Sequence, residues 1–125
     1  MGLYSGVMGN ASEVNVNKIQ DDYGRLLGSN EQIEKAFKLI RDMMIFTNKR
    51  LIIIDKQGMT GKKVEYHSIP YRAITNFKVE TAGHFDLDAE LKIHISGMSM
   101  PIEKTFGSGC NIYEVQALLA EYCCK

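Results

Sequence analysis

A chain of 125 residues, 45% hydrophobic and 24% charged, has the size and balance of one globular domain around a single core. Fifteen Lys+Arg offset fifteen Asp+Glu, so no overall field draws the chain to nucleic acid, and any charge-driven binding must come from a local patch. No run approaches the roughly eighteen apolar residues of a membrane span. The start, "MGLYSGVMGNASEVN", lacks the basic and apolar regions of a secretory signal, and Gly6 stands where myristoylation wants Ser or Thr. The cysteines, Cys110, Cys123 and Cys124, are odd in number with two adjacent, unlike a disulfide framework or paired zinc ligands. The chain reads as cytoplasmic.

The small-residue leader is expected to be irregular. From Asn15 to Leu27, Val16, Ile19, Tyr23, Leu26 and Leu27 fall near helical spacing, with Asn15 as N-cap and Gly28, Ser29 and Asn30 as the stop. The period then changes to two. In "EQIEKAFKLIRD", Ile33, Phe37 and Leu39 share one parity, and "MMIFT" follows so closely that Arg41-Asp42 is placed in a tight turn. "LIIID" reads as a buried strand. "KKVEYHSI" alternates, with His67 on its polar parity, and Pro70 excludes a central-strand position. "ITNFKVETA" turns Phe77 and Val79 inward, "ELKIHIS" turns Leu91, Ile93 and Ile95 one way and His94 the other, and "MPIEKTF" alternates through Met100, Ile102, Lys104 and Phe106. Seven short strands at this spacing predict an antiparallel barrel or sandwich. Asn111, with Glu114 three residues on, opens a final helix whose stripe of Ile112, Val115, Leu118, Leu119 and Tyr122 suits it to plug one end.

"KQGMTGKK" at 56–63 is not a nucleotide loop. It lacks the first glycine and the final Ser/Thr of G-x-x-x-x-G-K-[ST], and a strand follows where a helix N-terminus is required. Its glycines fit a turn between strands. Lys49, Arg50, Lys56, Lys62 and Lys63 nevertheless form the densest basic run, opposed only by Asp55, and are the candidate contact for an anionic ligand or an acidic partner; the competing reading is a solvated hairpin guarding edge strands. "DLDAE", through Asp86, Asp88 and Glu90, breaks the calcium-loop pattern. "GSGC" at 107–110 is not a nucleophile elbow, and His67, His84 and His94 are scattered. No nucleophile, base and orienting group assemble into a catalytic set, and no cofactor or metal site is expected.

"FTNKRLIIIDKQGMTGKKVEYHSIPYRAI", "FKVETAGHFDLDAELKI" and "NIYEVQALL", together with the opening "MGLYSGVMGNASEV", resemble the bacterial pleckstrin-homology (PH) domain family over nearly the whole chain. The resemblance implies a mainly β, PH-like fold: seven antiparallel strands in two nearly orthogonal sheets, a C-terminal helix closing one end, and an extra N-terminal helix. It divides the chain into a leader and helix at 1–30 and a PH-like domain at 31–125, and it implies homo-oligomeric rings, with Val16, Ile19, Tyr23, Leu26 and Leu27 as candidate oligomer contacts. Eukaryotic relatives of the fold often bind phosphoinositides through a basic first hairpin. Here that hairpin is "LIRDMM", with Arg41 countered by Asp42 and no long basic loop. The expectation is therefore a non-catalytic module that self-assembles and binds a protein or peptide at an open sheet edge or beside the C-terminal helix. The alternative is a peripheral module on anionic lipid through the basic hairpin 49–63.

Overall fold

The computed structural model describes residues 15–39, 42–57, 63–81, 88–107 and 111–124. The leader, Arg41, Lys62, His84, Asp86 and Cys110 lie outside the described residues, as do the interior of the 56–63 turn and most of "GSGC". Helix α1 (Val16–Tyr23) continues as a single 3-10 turn, Gly24–Leu26, and seven strands follow: β1 (Ile33–Lys38), β2 (Asp42–Thr47), β3 (Arg50–Gln57), β4 (Lys63–Pro70), β5 (Ile74–Thr81), β6 (Ala89–Ile95) and β7 (Ile102–Phe106). Helix α2 (Ile112–Cys123) ends the fold, and a 3-10 turn, Tyr71–Ala73, joins β4 to β5. All pairings are antiparallel, in one sheet ordered β1-β2-β3-β4 and another ordered β5-β6-β7.

Both helices start where short polar side chains replace missing intrahelical acceptors. Asn15 Oδ1 accepts from the amides of Asn17 and Lys18, and Asn111 Oδ1 from those of Tyr113 and Glu114. Glu114 does not serve the reciprocal half of a capping box; its carboxylate lies 3.3 Å from Lys35 Nζ. The first helix is shorter than its apolar spacing suggests. Gly24 lowers helix propensity, and the carbonyl of Leu26 is taken by Arg50 from the barrel at 2.6 Å. Asn30, at φ 60°, turns the chain into β1 in a conformation Asn tolerates.

The main core lies between the sheets. Phe37, Leu39, Met44, Phe46, Leu51, Ile53 and Ile69 meet Ile74, Leu91, Ile93 and Phe106, and Val115 and Leu119 of α2 close the cluster. Each such side chain contributes about 1.5–3 kcal/mol by leaving water. The first sheet is buried on its other face as well: Ile33, Ala36, Ile45, Ile52 and Ile54 pack with Ile19, flanked by Val16, Tyr23, Leu26 and Leu27. In β3, Leu51 and Ile53 belong to one cluster and Ile52 and Ile54 to the other, which is why "LIIID" is apolar without alternation.

Four details depart from strict alternation. The register slips between Ile33 and Lys35, so Ile33 joins Ala36 on the outer face while Phe37 and Leu39 face inward. A second slip, between Ile74 and Asn76, lets Ile74 and Phe77 both reach the core and leaves Thr75 exposed. His67 pairs with Ile53 and shares the inward parity of Ile69; it is half-buried, and Tyr66 is the exposed neighbour. Asp42 opens β2 opposite Asp55 and is not a turn residue, the hairpin being closed by Leu39 N–H to Asp42 O at 2.8 Å.

Candidate functional site

Of the five basic residues singled out from the sequence, the four that are described, Lys49, Arg50, Lys56 and Lys63, do not form one patch. Arg50 is committed inside the protein. Its Nε and Nη2 donate to Glu31 at 2.9 and 3.1 Å, Nη2 also to Leu26 O at 2.6 Å, and Nη1 to Ser68 Oγ at 2.8 Å. Lys49 is exposed beside this cluster, its Nζ donating to Ser29 O at 2.9 Å. Lys56 lies at the far end of the strand, about 23 Å away at roughly 3.3 Å per residue. Lys63 is one cross-strand step from Lys56 but of the opposite facing parity, since Lys56 pairs with Val64 and Lys63 with Gln57.

What the fold does gather, from three distant stretches, is a groove of about 820 Å³ beside the end of α2. The β2–β3 turn supplies Asn48 and Lys49, the β4–β5 connection supplies Pro70, Tyr71 and Arg72, and α2 supplies Glu121, Tyr122 and Cys123. Tyr71 and Tyr122 stack, with ring centroids 4.6 Å apart and planes 12° from parallel, and Tyr122 also stacks on Phe46. Both hydroxyls are tied inward, Tyr71 donating to Thr47 O at 2.6 Å and Tyr122 to Glu34. Asn48 is equally fixed: its Oδ1 accepts from Gln32 N and its Nδ2 donates to Asn30 O. The floor is therefore tied down by internal bonds, with both tyrosine hydroxyls and the Asn48 amide already partnered.

Its chemistry suits contact better than proton transfer. Burial, with the neighbouring Cys124 thiol adding to it, pushes the Cys123 thiol up to about 11, so at neutral pH it is not the thiolate a nucleophile needs. Burial, followed by the Cys123 and Glu34 charges, pushes the Tyr71 phenol above its ordinary range and keeps it a donor. On the walls, Lys49 keeps two ammonium protons for a ligand. Arg72 and Glu121 are exposed, and neither has a hydrogen-bond or ion-pair partner among the described residues.

Of the groove residues only Lys49 stood among the sequence candidates. Tyr122 was marked for the plugging stripe and Pro70 for ending a strand, and no linear signal joins 48–49, 70–72 and 121–123. The apolar stripe of α1 is likewise placed: Val16, Ile19, Tyr23, Leu26 and Leu27 all pack on the protein's own sheet.

The model of the family described as "Bacterial PH domain" matches residues 2–123. The chain belongs to the bacterial PH domain family. A pleckstrin-homology domain from Shewanella amazonensis superposes with a TM-score of 0.84 at 51% identity, over 99% of this chain and all of that one. A DUF1696 family protein with a pleckstrin-homology domain from Shewanella loihica gives a TM-score of 0.80 at 54% identity, over 91% of this chain and 97% of that one. The uncharacterized protein YjqA of Bacillus subtilis is 51% identical over 124 residues, 98% of this chain and 99% of that protein. The mainly β architecture, with a four-stranded sheet, a three-stranded sheet and a helix at either end of the strands, is thus that of PH-domain proteins.

Proposed function

We propose that this PH-like domain is a non-catalytic binding module that self-assembles and receives a protein or peptide segment in the groove beside α2. The observation that carries the reading is the groove itself. Its stacked aromatic floor is held by internal hydrogen bonds, it is open to solvent, and its lining offers charged and apolar contact without an activated nucleophile. Peptides selected from a random library on the immobilised protein should shift the amide resonances of residues 48–49, 70–72 and 121–123. Peptides that shift only other regions would sink the groove.

Self-assembly has its support in exposed apolar side chains: Tyr113 is 80% exposed, Met100 70%, Tyr66 50% and Met98 47%. Light scattering should give a defined multimer whose mass falls when Tyr113 or Met100 becomes Glu; a monomer at every concentration would end this part of the proposal. Deleting residues 1–28 is the poorer test, because it uncovers Ile33, Ala36, Ile45, Ile52 and Ile54. Attachment to anionic lipid through 49–63 has weaker support, with Arg50 consumed internally and Lys49 a strand length from Lys56. Vesicles containing phosphatidylserine should not retain the protein, nor should Lys62→Glu/Lys63→Glu change that. Retention lost in the double variant would restore the membrane reading.

A further inference from the structure

We infer that the groove beside α2 takes an extended peptide carrying acidic side chains on one face, with its carboxylates directed to Lys49 and Arg72. The inference rests on the groove being the binding site, and it names the chemistry and the orientation of the occupant.

The two walls differ in charge. On the strand side stand Lys49, which keeps two protons after its bond to Ser29 O, and Arg72, whose guanidinium meets no acceptor among the described residues. On the helix side stand Glu121 and the last carbonyls of α2. Among the described residues only the Ala120 carbonyl of the last four is taken, by Cys124 N–H at 3.0 Å, and no basic residue lies in the final turn. A carboxylate is thus drawn to one wall and repelled by the other. Neither wall neutralises the other, since Arg72 and Glu121 line the same groove without pairing. Between them the half-buried Tyr122 and Cys123 side chains, with the small exposed part of Tyr71, offer contact to small or apolar residues. In an extended peptide successive side chains point to opposite faces, so acidic residues at every second position line up along the strand-side wall. Arg is the residue suited to bidentate carboxylate capture, and Arg72 has no partner among the described residues.

The test is a 15N amide titration of the full chain with three capped hexapeptides, in which Ala alternates with Glu, with Lys or with Ser. The Glu peptide should give saturable shifts at Asn48, Lys49, Tyr71, Arg72 and Tyr122, weakened by added salt. The Lys peptide should leave those amides unmoved. Arg72→Glu, an exposed substitution that breaks no internal bond among the described residues, should weaken the Glu peptide about tenfold and let the Lys peptide bind. If the Ser or Lys peptide shifts the same amides as strongly, the groove stands as a binding site and the acidic preference is overturned. If the Glu peptide leaves every groove amide unmoved, the inference fails as well, and library-selected peptides then decide whether the groove itself survives.

Discussion

Among the described residues Thr47 is the one buried polar residue, and its hydroxyl shows what became of Arg50, one of the candidate basic residues, on folding. Its one proton goes to Glu31 Oε2 at 2.7 Å, while its oxygen accepts from the amides of Lys49 and Arg50. Glu31 takes further bonds from Arg50 and from Gly28 N–H. Burial alone would raise the Glu31 carboxyl, but the hydrogen bonds from Arg50, Gly28 and Thr47 outweigh it and bring it from 4.5 down to about 2. A depressed carboxyl gives stability that is fully present above 4.5 and is lost as pH falls toward 2. The shift corresponds to about 3 kcal/mol. Urea unfolding at pH 6, 4 and 2.5 should therefore show that loss in the wild-type protein. In Glu31→Gln the acid slope should be shallower and the stability at pH 6 already reduced. Parallel pH profiles for the two proteins would show that Glu31 does not carry the acid sensitivity.

Helix α1 illustrates how far an element can be read from its own residues. Its cap and its stripe were legible because each rests on local chemistry, an Asn side chain on two amides and apolar residues at helical spacing; the stop expected at Gly28 to Asn30 was not, since the helix ends at Tyr23 with Gly24 after it. The strands were legible for the same reason, with period two running through Leu91, Ile93 and Ile95 of β6. The partner of the stripe was not, because alternation cannot tell that β3 is covered on both faces. Nor could it show that two register slips send Ile33 outward and Ile74 inward. A contact surface beside the C-terminal helix was among the expectations, but the residues of the groove were illegible for a different reason: its walls come from segments more than twenty residues apart, and its floor exists only once Tyr71 stacks on Tyr122. Since an eight-residue helix is marginal alone, α1 owes its order to Ile19 and to the Arg50 bond at Leu26 O. Ile19→Asp should free amides 19–27 to exchange with solvent hydrogen while β6 amides stay protected. Equal loss of protection in both would show that α1 and the barrel unfold as one unit.

Across the whole molecule, the two sheets are joined by apolar packing and, among the described residues, by the Lys104 ammonium. Asp42, Asp55 and Glu65 stand directly opposite one another on β2, β3 and β4, an arrangement of like charges that opposes pairing. Lys104 reaches over from β7 in the other sheet, with Nζ 2.8 Å from Asp42 Oδ2 and 3.8 Å from Asp55 Oδ2. Its side chain is 14% exposed and that of Asp42 15%, so the pair is shielded from solvent and from screening salt. Alternation predicted only that Lys104 shares the parity of Ile102 and Phe106; the use of that inward position is to hold the carboxylates of the opposite sheet. Removing the ammonium takes the Lys104 charge from between the facing Asp42 and Asp55, and breaking a buried pair such as Lys104–Asp42 costs about 3 kcal/mol. Lys104→Met should therefore lower the free energy of unfolding by about that amount. Adding Asp42→Asn to Lys104→Met should recover part of the loss, because the repulsion with Asp55 disappears along with the charge. A double-mutant cycle with an interaction energy near zero would mean that the sheets are held by the apolar core alone, with Lys104 a passenger on its inner face.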